Sequence, residues 1–167
     1  MKTQEGAETM KVQEVMTSNV KACRDDANLA EAAKLMWDYD CGVLPVVNNS
    51  ERVIGMITDR DIAIAGATKG RPASEIRVNE VISGKLYSCS LEEDIKAALK
   101  TMQHEKVRRL PVVNQDGLLQ GILSMNDVVL RAEEAKGTYV PALSYEDVVS
   151  AYKAICEHRS HQEAARA

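Results

Sequence analysis

The stretch Leu44-Pro45-Val46-Val47-Asn48 occurs a second time as Leu110-Pro111-Val112-Val113-Asn114, and this repetition decides how the rest of the chain is read. Sliding the sequence by 66 residues lays 12–64 on 78–130 without a gap, and 14 of the 53 positions are identical. Gly55 falls on Gly121, Asp61 on Asp127 and Cys23 on Cys89. Self-similarity at one fixed period marks a chain built from a repeated supersecondary unit.

Outward from the repeated pentapeptide, each copy has the same pattern. Leu29, Ala32, Ala33 and Met36 recur at the spacing of one helix face, as do Ile95, Ala98, Leu99 and Met102. Ser90-Leu91-Glu92-Glu93 has the form of a capping box and predicts the start of the second of these helices. Apolar runs predict strands over 43–48 and 52–58, and over 109–114 and 118–123, joined by the polar turns Asn49-Ser50-Glu51 and Gln115-Asp116-Gly117. Short strands are expected near 20–23 and 86–89, and a second helix from Thr58 or Ser124. The order per unit is β-α-β-β-α. A unit of 53 residues buries too little surface to stand alone, so two should pack with pseudo-two-fold symmetry into one mixed α/β (α+β) globule. The expected organisation is a first repeat at 12–64, a linker at 65–77 and a second repeat at 78–135. Gly137 and Pro141 break the pattern. A C-terminal helix at 144–160 should follow, capped by Ser144 and Asp147, with an apolar stripe of Tyr145, Val148, Val149, Tyr152 and Ile155. The first ten residues and the last ten, HRSHQEAARA, are expected to fray.

Composition bounds the function. Of 167 residues, 45% are hydrophobic and 28% charged, as in ordinary globular domains. One Trp, five Tyr and no Phe imply an aliphatic core and no stacked-aromatic platform for bases. A net charge of −4 and a pI near 5.5 give no basic footprint for nucleic acid or an anionic membrane. Cys23, Cys41, Cys89 and Cys156 form no C-x-x-C pair, and neither a secretory h-region nor an apolar run of spanning length is visible. These features predict a cytoplasmic protein with reduced thiols.

The motifs that carry chemistry are Thr58-x-x-Asp61 and Ser124-x-x-Asp127. As local structure they are helix N-cap boxes. The same geometry also suits a ligand: free N–H groups and a positive dipole end attract phosphate, and a carboxylate one turn in accepts the hydroxyls of a ribose diol. Both readings stand at this point, and they can coexist. Gly55 and Gly121 in mid-strand signal the close approach of a side chain or a ligand. Arg108 and Arg109 precede Leu110 and read either as solvated charges or as a phosphate clamp; Gly42 and Val43 are their counterparts. Val43, Leu44, Pro45, Leu110 and Pro111 read as core whose edge could also sandwich a flat base. Cys23 and Cys89 read as small buried hydrophobes, and His104 as a surface residue. Cys156, His158 and His161 cluster in sequence, but Cys156 and His158 point apart on one helix, so no metal site is expected. No nucleophile–base pair and no Walker loop occurs, and no enzyme is expected.

The repeated β-α-β-β-α unit, with L-P-V-V-N followed by Gly55-Met56-Ile57-Thr58-Asp59-Arg60-Asp61 or Gly121-Ile122-Leu123-Ser124-Met125-Asn126-Asp127, resembles the CBS domain, the cystathionine-β-synthase-type repeat. Two in tandem look like the Bateman module of small stand-alone bacterial proteins. The resemblance implies a regulatory, ligand-sensing module with clefts for AMP, ADP, ATP, S-adenosylmethionine or NAD, pairing into a homodimer and acting on a protein partner that the sequence does not name. It assigns Asp61 and Asp127 to ribose, and Thr58 and Ser124 to ribose or phosphate. It supports phosphate roles for Arg108, Arg109 and Ser88, where the first copy has Ala22. The clefts should therefore be unequal. The first either holds a nucleoside-like part, borrows charge from Arg60, Lys69 or Arg71, or stays empty. The rival expectation is an interaction or structural protein with empty clefts, acting by dimerisation or partner binding.

Overall fold

The computed structural model describes residues 9–157. The elements are α1 (Val12–Val15), β1 (Cys23–Arg24), α2 (Leu29–Asp38), β2 (Val43–Val47), β3 (Val53–Thr58), α3 (Asp59–Thr68), α4 (Ile95–Glu105), β4 (Arg109–Val113), β5 (Leu119–Ser124), α5 (Met125–Arg131) and α6 (Tyr145–Cys156), with 3-10 turns at Ala73–Glu75 and Val78–Glu80. The expected mixed α/β fold forms. Asn28 and Glu31 close a capping box over α2, whose Leu29, Ala32 and Met36 go into the core. β2 runs parallel to β1 and antiparallel to β3. The asparagine of each repeated pentapeptide shapes the hairpin turn: Asn48 Oδ1 accepts from the N–H groups of Ser50 and Arg52, and Asn114 Oδ1 from those of Asp116 and Leu118.

Two expectations are corrected. The second copy's helix does not start at the Ser90–Glu93 box; its N-cap is Asp94, which accepts from the Lys96 N–H. The carbonyls of Leu91 and Glu93 accept from the N–H groups of Gln13 and Val12 instead of joining a helix. The strand expected at 86–89 shrinks to one parallel bridge, Cys89 to Val112. In the first copy Arg24 reaches the hairpin tip at Glu51 and Asn49 and carries the ladder one residue further.

The chain divides into two compact units whose bounds differ from the repeat bounds. One comprises Ser18–Ser90 and Pro111–Ile122. Its core gathers Cys23, Leu29, Met36, Leu44, Ile57, Ile76 and Val78, among others. The described part of the other comprises 9–17, 91–110 and 123–157, with Val12, Ile95, Met102, Leu110, Leu123 and Val128 buried. The opening residues of each repeat thus pack beside the helices of the other copy. Leu29 N–H donates to Ile76 O at 2.9 Å, and Val78 N–H to Ala27 O at 2.9 Å. Shifted by one period, Ile95 N–H donates to Met10 O and Val12 N–H to Glu93 O, both at 2.9 Å. Each segment satisfies an N–H that a helix start leaves without an intrahelical partner. The stretch expected to be linker is therefore structured: α3 runs on to Thr68, and Ile76 is wholly buried.

Helix α6 docks on α4 and α5. Val148 and Ile155 of the expected stripe are buried, with Ala151 beside them, Tyr152 is half-buried, and Tyr145 and Val149 face solvent. Residues 158–160 of the expected helix lie outside the described residues, as do most of the expected frayed ends. Asp147 anchors the start of α6. Its Oδ2 accepts from Ser144 N–H and Oγ, each at 2.8 Å, and lies 3.3 Å from Lys96 Nζ. Burial works to raise the Asp147 pKa, but the Ser144 hydrogen bonds and Lys96 together hold it below the usual carboxylate value. A depressed folded pKa contributes stability that is present above the unfolded pKa of about 4 and is lost as pH falls through the folded value. Asp147→Asn retains an accepting cap oxygen and removes the charge. In urea melts, wild type should exceed this variant in stability at pH 7, and the gap should close below about pH 4. A gap independent of pH would mean the charge plays no part.

Candidate functional site

Each signature box sits where a strand turns into a helix. At the β3–α3 junction Asp61 Oδ2 accepts from Thr58 N–H at 2.9 Å and from Thr58 Oγ1–H at 2.6 Å, while Thr58 Oγ1 accepts from Asp61 N–H at 3.1 Å. At β5–α5 the same three bonds join Ser124 and Asp127, at 2.8, 2.5 and 3.2 Å. Both boxes are half-buried, and in both the capping geometry is made in full.

The copies differ in the second carboxylate oxygen. Asp127 Oδ1 accepts from Thr17 Oγ1–H at 3.0 Å. Among the described residues, Asp61 Oδ1 receives no hydrogen bond. Thr17 was not among the expected site residues. Its period partner is Ser83, which shares a compact unit with Asp61. A hydroxyl at the same place in both copies is the signal that could have flagged it.

The surrounding charge differs more strongly. Met125 N–H donates to Arg108 O at 3.0 Å, which puts the Arg108-Arg109 pair beside the start of α5. Both arginines are exposed, and neither forms an ion pair among the described residues. In the first copy the matching bond runs from Asp59 N–H to Gly42 O at 3.1 Å. A Cβ on Gly42 would lie 3.0 Å from Asp59 Oδ2, so this glycine makes room for a carboxylate. The first box thus has an acid, Asp59, beside the junction where the second has the Arg108-Arg109 pair. Of the cations expected to help the first box, Arg71 is already held by Glu80 and the Glu75 carbonyl. Backbone N–H donation from Arg77, then Arg71 itself, lowers the Glu80 pKa.

Val43, Leu44, Pro45, Leu110 and Pro111 are all buried. Ser88 is half-buried in the same unit as the first box, and Ser124, Asp127, Arg108 and Arg109 lie in the other. Gly55 admits Ile82, whose Cδ1 would lie 3.1 Å from an added Cβ. Cys23 and Cys89 are buried, and burial pushes the Cys23 thiol up to about 11 against one opposing backbone hydrogen bond, far from a reactive thiolate. His104 is exposed beside Glu105. Among the described residues no cluster of three His, Cys, Asp or Glu could hold a metal, and His158 and His161 lie outside them. No helix among the described residues is long and apolar enough to cross a membrane.

A duplicated β-α-β-β-α unit with a hydroxyl–aspartate box at each strand-to-helix junction defines a tandem-repeat module. The CBS-domain family model matches residues 12–67 and 78–134, and the chain belongs to the CBS-domain family. It is 33% identical over 143 residues to the CBS domain-containing protein YhcV of Bacillus subtilis, spanning 82% of this chain and 97% of that one. The crystal structure of Hypoxic Response Protein I with two coordinated zinc ions superposes with a TM-score of 0.68 at 28% identity, covering 74% of this chain and 100% of that one. The CBS domain pair of protein MJ0100 in complex with methylthioadenosine and S-adenosyl-L-methionine gives a TM-score of 0.67 at 20% identity, covering 74% and 95%.

Proposed function

We propose that the chain is a ligand-sensing regulatory module that binds adenosine-containing nucleotides through Asp61 and Asp127. AMP, ADP and ATP are the leading ligands, and S-adenosylmethionine and NAD share the recognised part. The observation that carries this reading is the repeated hydroxyl–aspartate box, one copy of which stands beside two arginines that form no ion pair among the described residues. A carboxylate at a helix start accepts ribose hydroxyls, and a guanidinium pair holds phosphate. The ligands in the related MJ0100 pair carry the same adenosine group. Acting as a homodimer, the module passes the ligand state to a protein partner through its contacts.

A second reading is an interaction protein with empty clefts. It is favoured by the completeness of both capping boxes, which gives each aspartate a structural role without any ligand. Thermal shift separates the two. A ligand that binds only the folded state stabilises by about 2.7 kcal/mol at 100-fold excess over Kd. No shift with any adenosine compound favours the empty-cleft reading.

The arginine pair gives a sharper test. Arg108→Ala with Arg109→Ala should weaken ATP and ADP far more than adenosine, because only the phosphates lose partners. It should also flatten the salt dependence of nucleotide binding, since salt screens exposed charge pairs. Equal losses for nucleoside and nucleotide in calorimetric titrations would reduce the arginines to shaping the strand entry.

A further inference from the structure

Of the nine large hydrophobic side chains exposed among the described residues, six lie within 129–149: Val129, Leu130, Tyr139, Val140, Tyr145 and Val149. All six belong to one compact unit. Single exposed apolar residues are ordinary on a protein surface, but a concentration of them marks a contact. Tyr145 N–H donates to Glu133 O at 3.0 Å and Tyr139 Oη–H to Glu133 Oε2 at 3.1 Å, which holds the Tyr139 loop beside the start of α6.

Helix α6 carries two apolar stripes. Val148, Ala151 and Ile155 form one and are buried where α6 docks on α4 and α5. Tyr145, Val149, Tyr152 and Cys156 form the other, at spacings of four, three and four residues. Tyr145 and Val149 are each 55% exposed, Cys156 is exposed and Tyr152 is half-buried. A helix that rests on a domain by one face needs one apolar stripe, with polar residues opposite. The spacing of the second stripe is that of the seam between two paired helices. On its solvent side stand Glu146 and Lys153, seven residues apart on one flank, and neither forms an ion pair among the described residues. The helix lies outside both segments that match the CBS-domain family, so the packing of the repeats does not account for this stripe.

We propose that the second stripe of α6 pairs with the same stripe of a second copy, the two helices antiparallel across a two-fold axis. The proposal rests on the homodimer part of the functional reading and gives it a surface outside the repeats. A two-fold contact is self-complementary, residue i meeting j and j meeting i. Aligned antiparallel about a point between Val149 and Tyr152, the stripe matches itself: Val149 meets the partner's Tyr152, and Tyr145 meets the partner's Cys156. The flank matches too, since Glu146 then faces the partner's Lys153 and Lys153 the partner's Glu146. A parallel pair offers no such match, because it sets this flank against Val148 and Ile155, which are already buried. Both signs of charge in this order favour a second copy over a partner of one sign. A free helix of this length is marginal in water, but α6 is held in advance by its docking on α4 and by the Lys96–Asp147 ion pair.

Light scattering of the full chain should give a dimer. Val149→Lys and Tyr145→Ser should each weaken it by about 30-fold or more, the scale of a central or aromatic anchor in an interface. Both positions are exposed, so circular dichroism should stay unchanged. Glu146→Lys alone should weaken the dimer by about five-fold, because each new lysine meets the partner's Lys153. Adding Lys153→Glu restores both opposite-charge pairs and should restore the dimer. The double variant opposes the α6 dipole at both ends, so its recovery does not come from a steadier helix. A monomer at every concentration overturns the homodimer reading and this surface with it. A dimer that Val149→Lys and Tyr145→Ser leave intact keeps the homodimer and overturns the surface. No recovery in the double variant overturns the antiparallel pairing.

Discussion

Ile76→Ala is expected to destabilise the protein by about 3 kcal/mol, within the roughly 2–5 kcal/mol that emptying a buried isoleucine site costs. Ile76 is wholly buried in the core of the unit that holds the first repeat, although it lies outside that repeat. Its carbonyl accepts from the Leu29 N–H at the start of α2, and the neighbouring Arg77 bridges to Asn28, so the segment cannot move in to fill the space without giving up those bonds. The transfer and cavity contributions therefore add with little relaxation. Glu75→Ala, one residue earlier and exposed, is the matched control and should change stability by less than about 0.5 kcal/mol. Urea unfolding followed by circular dichroism measures both. A loss below about 1 kcal/mol for Ile76→Ala would return the segment to the status of a passive linker.

That residue also shows where sequence reading ran out. In Ala73-Ser74-Glu75-Ile76-Arg77 a lone isoleucine stands among polar neighbours, and a single apolar residue carries no periodicity from which to read burial. It is buried because its partners are Leu29 and the rest of α2, nearly fifty residues back. The helix start at Asp94 was missed for the same reason. Ser90-Leu91-Glu92-Glu93 satisfies the local capping rule, but Val12 and Gln13 take the carbonyls on which a helix from there would depend. What was legible is what repeats or what is local. The faces of α2 and α4, the two hairpins and the hydroxyl–aspartate boxes all follow from patterns of a few residues, seen twice. The acid that Gly42 makes room for, Asp59, and the hydroxyl that reaches Asp127 from Thr17 are products of tertiary placement.

Asp127→Ala is expected to weaken ATP or ADP binding by ten-fold or more, since a hydrogen bond to a charged group is worth about 1.5–3 kcal/mol. Asp61→Ala should affect these ligands less, though the hydrogen bonds alone point the other way. Asp127 Oδ1 already accepts from Thr17, whereas Asp61 Oδ1 is open among the described residues, so a ribose diol meets the freer acceptor in the first copy. Sharing Oδ1 with Thr17 weakens one hydrogen bond to the carboxylate, a loss of at most about 1.5–3 kcal/mol. Phosphate reverses the order. The second copy offers Arg108 and Arg109, whose two charge-assisted contacts together outweigh that loss, whereas the first offers the Asp59 carboxylate, which repels an anion. Adenosine should therefore depend at least as much on Asp61 as on Asp127, and ATP should depend mainly on Asp127. Thr17→Val, by releasing Oδ1, should strengthen adenosine binding at the second copy and leave the phosphate preference in place. Asp127→Asn should be milder than alanine, because it keeps an accepting oxygen. Loss of the cap itself would appear as lower stability of the ligand-free protein, and urea melts of each variant isolate it. If calorimetry finds unchanged nucleotide affinity in a folded Asp127→Ala protein, the ribose assignment is wrong; if Asp61→Ala is the more damaging change for ATP, the phosphate-preferring site is the one beside Asp59.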